Sequence, residues 1–308
     1  MGKTLYLECS AGISGDMSVA ALLDLGANES TLRAALASLP AEGFSIRISR
    51  VKKSGLDACD FDVVLDAAHE NHDHDMAYLY GTPDEAAAHE HSHEHIHGHA
   101  HPHEDAHAHN LGHDHDHEHE PGHAHDHDGH AHEHHHEHRS LTDVLAVVDA
   151  AEITPGARSV AHRVFDVLAD AEAAAHGVPR SEVHFHEVGA IDSIVDVVAF
   201  AVCFDDLGID DVVMRELCEG EGSVRCQHGI MPVPVPAVAN IVSTSGIPLR
   251  VLDVKGELVT PTGAAIAAAV RTRADLPERF VIKRTGLGAG KRDYATSGIL
   301  RAMIIEEA

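Results

Sequence analysis

The chain has 308 residues and 44% apolar content, enough for one large or two ordinary domains with cores of their own. Its formal charge of −28 argues against nucleic acid or an acidic membrane surface as a partner. That charge is uneven, because His69 to His138 holds 17 Asp and Glu, no Lys or Arg, and 26 of the 31 histidines. The longest apolar run, VVAFAVCF, is too short for a membrane span, and the N-terminus lacks a signal-peptide core, so the expected location is cytoplasmic. Cys9, Cys59, Cys203, Cys218 and Cys226 are odd in number and widely spaced, which reads as thiols rather than a disulfide framework.

In chain order, TLYLE reads as a strand, CSAGIS as a loop, and GDMSVAALLDLG as a helix closed by Gly26. A short helix ending near Pro40 follows, then strands FSIRISRV and CDFDVVLD, so residues 1–67 are expected to form a compact α/β unit. Residues 68–139 have few apolar groups beyond MAYLY and are expected to be disordered without a ligand. SLTD has the form of a capping box opening a helix, and a longer helix is expected from about Pro155 to His176, stopped by Gly177. Helices and strands then alternate, through IDSIVDVVAFAVCFDDLG, DVVMREL, the extended GSVRCQHGIMPVPVP, AVANIVST, PLRVLDV, PTGAAIAAAVRT, RFVIKRT and ILRAMIIEE. The expected fold class is mixed α/β (α+β). Two compact units are expected, with residues 140–308 forming a helical hairpin plus an α/β domain.

Metal chemistry accounts for the His tract. Repeated H-x-H spacing lets a chain wrap several neutral imidazoles around one ion, which suits Ni, Zn, Cu and Fe alike. The candidate ligands are His113, His115, His117, His119, His123, His125, His127, His130, His132, His134, His135, His136 and His138. Protonation near pH ~6.5 would expel the metal. A solvated low-complexity linker and a pH sensor are the blander readings of the same composition.

Elsewhere, VHFHEVGAIDSIVD places His184 and His186 on one side of an extended segment, followed by Glu187 and by Asp192 and Asp196 four apart at a helix start. These can hold or hand over a metal, or form an ordinary acid cluster at a helix N-terminus. Cys226 and His228 share one face if GSVRCQHGIM is extended. Three Gly-containing segments are candidate phosphate sites: SAGISGDM with Gly12 and Ser14, TPTGAA with Thr262 and Gly263, and RTGLGAGKRD with Arg284, Lys291 and Arg292. The last is not a Walker A loop, since Thr285 and Arg292 stand at two required positions, and each segment also reads as a plain turn.

Together, LYLECSAGISGDMSVAALLDLG, HFHEVGAIDSIVD, GSVRCQHGIMPVPVPA, GELVTPTGAA and GLGAGKRD resemble the LarC family, the nickel-insertion proteins of nickel-pincer cofactor biosynthesis. The resemblance runs in order from Thr4 to about Ile304. It implies a CTP-dependent nickel chelatase that places Ni into pyridinium-3,5-bisthiocarboxylic acid mononucleotide, with Mn or Mg for the nucleotide step. Catalytic roles are expected at Asp192, Asp196 and Lys291. The mononucleotide is expected on Gly12, Ser14, Thr262, Gly263, Lys291 and Arg292, and the acceptor metal site on His184, His186, Glu187, Cys226 and His228. Family members continue for roughly another hundred residues or more, a domain's worth, and the resemblance assigns CTP to that part. The expected partners are therefore the mononucleotide, a separate C-terminal domain or chain, and a downstream nickel-pincer enzyme such as lactate racemase, with homo-oligomerisation left open. A non-catalytic nickel store or metallochaperone is the competing reading. A metal-dependent hydrolase is another, and would need a fixed ligand set with an open position.

Overall fold

The computed structural model describes residues 2–67, 69, 75–80, 139–185 and 190–308. The first strand, β1 (Lys3–Glu8), alternates buried Leu5 and Leu7 with half-buried neighbours. It is followed by α1 (Gly15–Leu25), α2 (Glu29–Ala37) and a hairpin of β2 (Phe44–Lys53) and β3 (Leu56–Leu65). Asn28 caps α2 by accepting from the Ser30 and Thr31 amides. Gly26 ends α1 in the left-handed conformation, with φ +110°.

A short helix, α3 (Met76–Tyr80), lies inside the segment expected to be disordered. Its apolar MAYLY is the reason: Leu79 is buried, and the Tyr80 hydroxyl lies 2.8 Å from that of Tyr294. The tract histidines His113 to His138 fall outside the described residues.

Beyond the tract, β4 (Arg139–Ser140) pairs with β5 (His184–Phe185). Ser140 and Asp143 form the expected capping box of α4 (Leu141–Ala150), and α5 (Pro155–His176) stops at Gly177 as read. Helix α6 (Ile191–Asp206) is apolar nearly all round and buried against α1, α2 and α5. The remaining elements are β6 (Ile209–Val213), β7 (Leu217–Glu221), β8 (Ser223–Cys226), β9 (Gly229–Pro232), α7 (Pro236–Ser245), β10 (Leu249–Lys255), α8 (Pro261–Val270), β11 (Phe280–Ala289) and β12 (Ile299–Glu307). No helix among the described residues is long and apolar enough to cross a membrane.

The main sheet has six strands in the order β2-β3-β11-β12-β1-β6. β1 is antiparallel to β12 and parallel to β6, and β11 joins β12 to β3. Here the expectation of two separate α/β units is corrected, because residues on both sides of the tract form one compact unit. The cause is pairing. An isolated N-terminal unit would leave both edges of β1 without the partners that β12 and β6 supply.

Glycines let α1 lie on this sheet. A Cβ added to Gly286 would stand 2.2 Å from the Ala21 carbonyl oxygen, and one added to Gly288 would stand 2.0 Å from that of Met17. GLGAG is therefore strand and helix seat. Arg284, from the same segment, sits at the C-terminal end of α1, with Nη2 1.9 Å from where a Gly26 Cβ would be, a favourable place for a cation. Substituting Gly288→Val should destabilise the unit by about 1–3 kcal/mol or more through overpacking. Chemical denaturation checks this, and an unchanged midpoint would disprove the seat.

Candidate functional site

Three helices bring their N-terminal ends together. The chain enters α1 through Gly12, at φ +89°, where an added Cβ would lie 2.0 Å from the Leu258 carbonyl oxygen. The Ile13 amide donates to Leu258 O at 3.0 Å, and the Thr260 amide donates to Ile13 O at 3.1 Å. In the first turn of α8, a Cβ on Gly263 would lie 2.2 Å from the same Ile13 oxygen. The N-terminal ends of α1 and α8 thus back onto one another through glycines. The third helix, α6, supplies Asp196, whose Oδ2 lies 2.4 Å from where a Gly15 Cβ would be. The Asp16 amide donates to the Asp196 carboxylate.

The result is a buried carboxylate group of Asp16, Asp192 and Asp196. Asp16 is 7% exposed, and its Oδ1 accepts from the Ser14 hydroxyl. Asp16 Oδ2 and Asp196 Oδ1 are buried and have no hydrogen-bond partner among the described residues. Burial pushes the Asp196 carboxyl far above its ordinary range, and the negative charges of Asp16 and Asp192 push the same way. Lys291 and the Asp16 amide oppose them. The Lys291 ammonium, 2.5 Å from Asp60 Oδ1 and 3.4 Å from Asp62 Oδ1, is held at the end of β11 by the β2–β3 hairpin. The expected Asp192, Asp196 and Lys291 are therefore brought together, joined by Asp16 and Asp60, which the sequence reading passed over. Orphaned carboxylate oxygens in such a place require a proton or a cation. Among the described residues no three His, Cys, Asp or Glu groups converge on a metal position.

The expected phosphate contacts are differently employed. The positive end of α1, assigned to phosphate through Gly12 and Ser14, is occupied by Asp196 and Asp16 of the chain itself. The Gly263 amide donates to the capping Thr260 Oγ1 at 3.1 Å, and Thr262 is buried. Arg292 donates to Glu257 Oε2 at 2.6 Å in a buried ion pair beside Tyr80 and Tyr294. Lys291 is paired with carboxylates, as described above.

Behind the loop at residues 257–260 lies Glu219 on β7, a strand the sequence reading missed because LCEGE has no apolar alternation. Its side chain is 0% exposed, and Oε1 accepts from the amides of Gly220, Leu258 and Val259 at 2.9, 2.7 and 3.0 Å. Its Oε2 is buried with no partner among the described residues. Burial pushes this carboxyl up to about 7 in spite of the three amides. Glu219 thereby clamps the segment against which Gly12 and Ile13 pack.

The expected acceptor metal site is not assembled from its described members. His184 is exposed on β5 opposite Ser140, near Asp143. Cys226 and His228 sit at the tip of the β8–β9 hairpin, where Cys226 pairs with Gly229 and His228 lies in the turn, so the extended alternation expected to align them does not apply. His228 instead faces His176, with ring centroids 5.0 Å apart. His184, Cys226 and His228 do not together form a metal position. His186 and Glu187 lie outside the described residues.

Residues 5–308 match the nickel insertion protein family. The chain belongs to this family. It is 46% identical to the pyridinium-3,5-bisthiocarboxylic acid mononucleotide nickel insertion protein of Alkaliphilus metalliredigens, over 100% of this chain and 61% of that protein. Proteins of the same name from Lactiplantibacillus plantarum and Geobacillus kaustophilus are 36% and 34% identical, over 99% of this chain and 62% and 60% of theirs. The chain thus spans about three fifths of the length of these relatives. No solved structure matches it. The acid group lies where the segments SAGISGDM, AIDSIVD, TPTGAA and GAGKRD meet.

Glu219 yields a pH test. Its folded pKa of about 7 exceeds its ordinary 4.5, so its stabilising contribution is complete below pH 4.5 and is lost as pH rises through about 7. Glu219→Gln, which keeps an acceptor for the three amides and cannot ionise, should flatten the stability profile between those values. Thermal melts across that range check this; a slope equal to that of the wild type would show that Glu219 does not titrate there.

Proposed function

We propose that this chain carries the nickel-handling and substrate-presenting part of nickel insertion into pyridinium-3,5-bisthiocarboxylic acid mononucleotide. The observation that carries the reading is the family match over residues 5–308, together with the substrate printed in the names of relatives that align over the whole chain. The His tract gathers nickel, the substrate metal, on imidazoles. The ordered unit presents the mononucleotide next to the acid group. Ligand groups that bind nickel lose protons, and Asp192, Asp196 and Lys291 form the group that holds and passes them on, Lys291 opposing the burial and the neighbouring charges that drive Asp196 toward its neutral form.

We assign the CTP step, with its Mn or Mg, to the portion of the relatives that this chain does not span. Supporting this, GLGAGKRD seats a helix and pairs its lysine with Asp60, and the N-terminal end of α1 is filled by carboxylates. The test supplies nickel chloride, the mononucleotide, CTP and manganese to the purified chain, with and without the remaining portion of the Alkaliphilus relative added as a separate polypeptide. Nickel binding is expected in both mixtures, and metallated product with CTP consumption only in the second. CTP turnover by the chain alone would overturn the division of labour. Nickel binding without product in either mixture would leave the chain as a metal store. In the complete mixture, Asp196→Asn should abolish insertion while leaving bulk nickel binding unchanged; insertion at the wild-type rate would remove Asp196 from the reaction.

A further inference from the structure

The C-terminal turn of α5 and the tip of the β8–β9 hairpin meet through His176 and His228. Their ring centroids are 5.0 Å apart, with the planes inclined by 51°. A metal–imidazole bond of about 2.0–2.1 Å puts each ring centroid roughly 3.2 Å from a shared ion, and bond angles between square and tetrahedral then separate two centroids by roughly 4.5–5.2 Å. The observed spacing falls within that range. Glu172, one turn before His176, has Oε2 3.5 Å from His176 Nε2, and its side chain is only 15% exposed. The carboxylate lies beside the His176 ring, as the outer partners of metal-binding imidazoles do.

The position of the pair gives it a use. β8 also carries Arg225, whose guanidinium lies 5.9 Å above the ring centre of Tyr78. Tyr78 belongs to α3, which ends at Tyr80, nine residues before His89, the first histidine that follows it. The hairpin that presents His228 therefore also holds the root of the tract.

We propose that His176 and His228 form a two-imidazole nickel site at the root of the tract, through which nickel passes from the tract to the ordered unit. This rests on the nickel-handling reading above. Two protein donors leave the remaining coordination positions open, so an arriving or departing ligand can share the ion before it is released. A closed set of four donors would retain it.

The test is diethyl pyrocarbonate labelling of the full chain, read by mass spectrometry at each histidine, with and without nickel chloride in excess over all 31 histidines. His162, whose Nε2 is 2.8 Å from Asp149 Oδ1, serves as an internal control outside the pair. Nickel should slow labelling of His176 and His228 several-fold and leave His162 unchanged. His176→Gln should abolish the protection of His228, and His228→Gln that of His176; both side chains lie at the surface, so the fold survives. Protection of His228 that persists in His176→Gln would overturn the shared site, as would absence of protection at both residues in the wild type. In that last case, continued nickel protection of the tract and continued insertion would leave the nickel-handling reading standing, whereas loss of all nickel protection would remove both.

Discussion

Carboxylates that have to be buried where helices begin are the constraint around which this unit is built. An anion at a helix N-terminus gains about 0.3–1 kcal/mol, and up to ~2 kcal/mol when partly buried. Taking an ionised carboxylate out of water costs several kcal/mol. Asp16, Asp192 and Asp196 cannot all be held ionised by helix ends alone, which is why Asp196 is driven toward its neutral form and Lys291 is drawn in by Asp60 and Asp62. Geometry follows from the same demand. Asp196 reaches the end of α1 because position 15 is glycine, and α1 and α8 meet because positions 12 and 263 are glycine. A methyl group at any of these positions would occupy space already taken by a carbonyl or a carboxylate.

The sheet explains how such a unit tolerates a long interruption. Because β1 is sandwiched between β12 and β6, the fold is closed by pairings made across the tract rather than within either flank. Doubling the length of a flexible loop costs only about 0.6 kcal/mol of closure entropy. That is small beside the contacts at its two roots, where Tyr80 bonds to Tyr294 and to the Glu257 amide on one side and β4 pairs with β5 on the other. Folding therefore places little constraint on the length and composition of the sequence between those roots.

Most elements were legible in the sequence because their signals are local. The helix ends at Gly26 and Gly177, the capping box at Ser140 and the alternation in β2 each depend on neighbours within a few residues. The carboxylates at 192 and 196 stood out for the same reason. What stayed hidden depends on partners far along the chain. Asp16 looks like an ordinary acid in a first helical turn until Asp196 is placed beside it, and Glu219 is one acid among several until the amides of Leu258 and Val259 close on it. The glycines were open to more than one reading. A Gly-rich segment before a helix and one that serves as a seat for a helix have the same composition, and only the carbonyls of Ala21 and Met17 above Gly286 and Gly288 tell them apart. His176 carried no sequence signal, since a basic residue in a last helical turn is accounted for by the dipole alone.

Donor chemistry separates the two regions of the proposed mechanism. The acid group offers only oxygen and is buried against a lysine, whereas the surface pair and the tract offer imidazole nitrogen. Nickel favours imidazole over carboxylate, and sulfur ligands favour softer ions still less willing to sit among oxygens. Under the proposed function, nickel held on imidazoles has no incentive to enter the acid group, and an ion meeting thiocarboxylate sulfur would exchange nitrogen for a softer donor. In that proposal the carboxylates take the protons and the imidazoles the metal. Such a division would let the interior stay close to neutral while a divalent ion is held at the surface, so that no step requires burying an unpaired double charge.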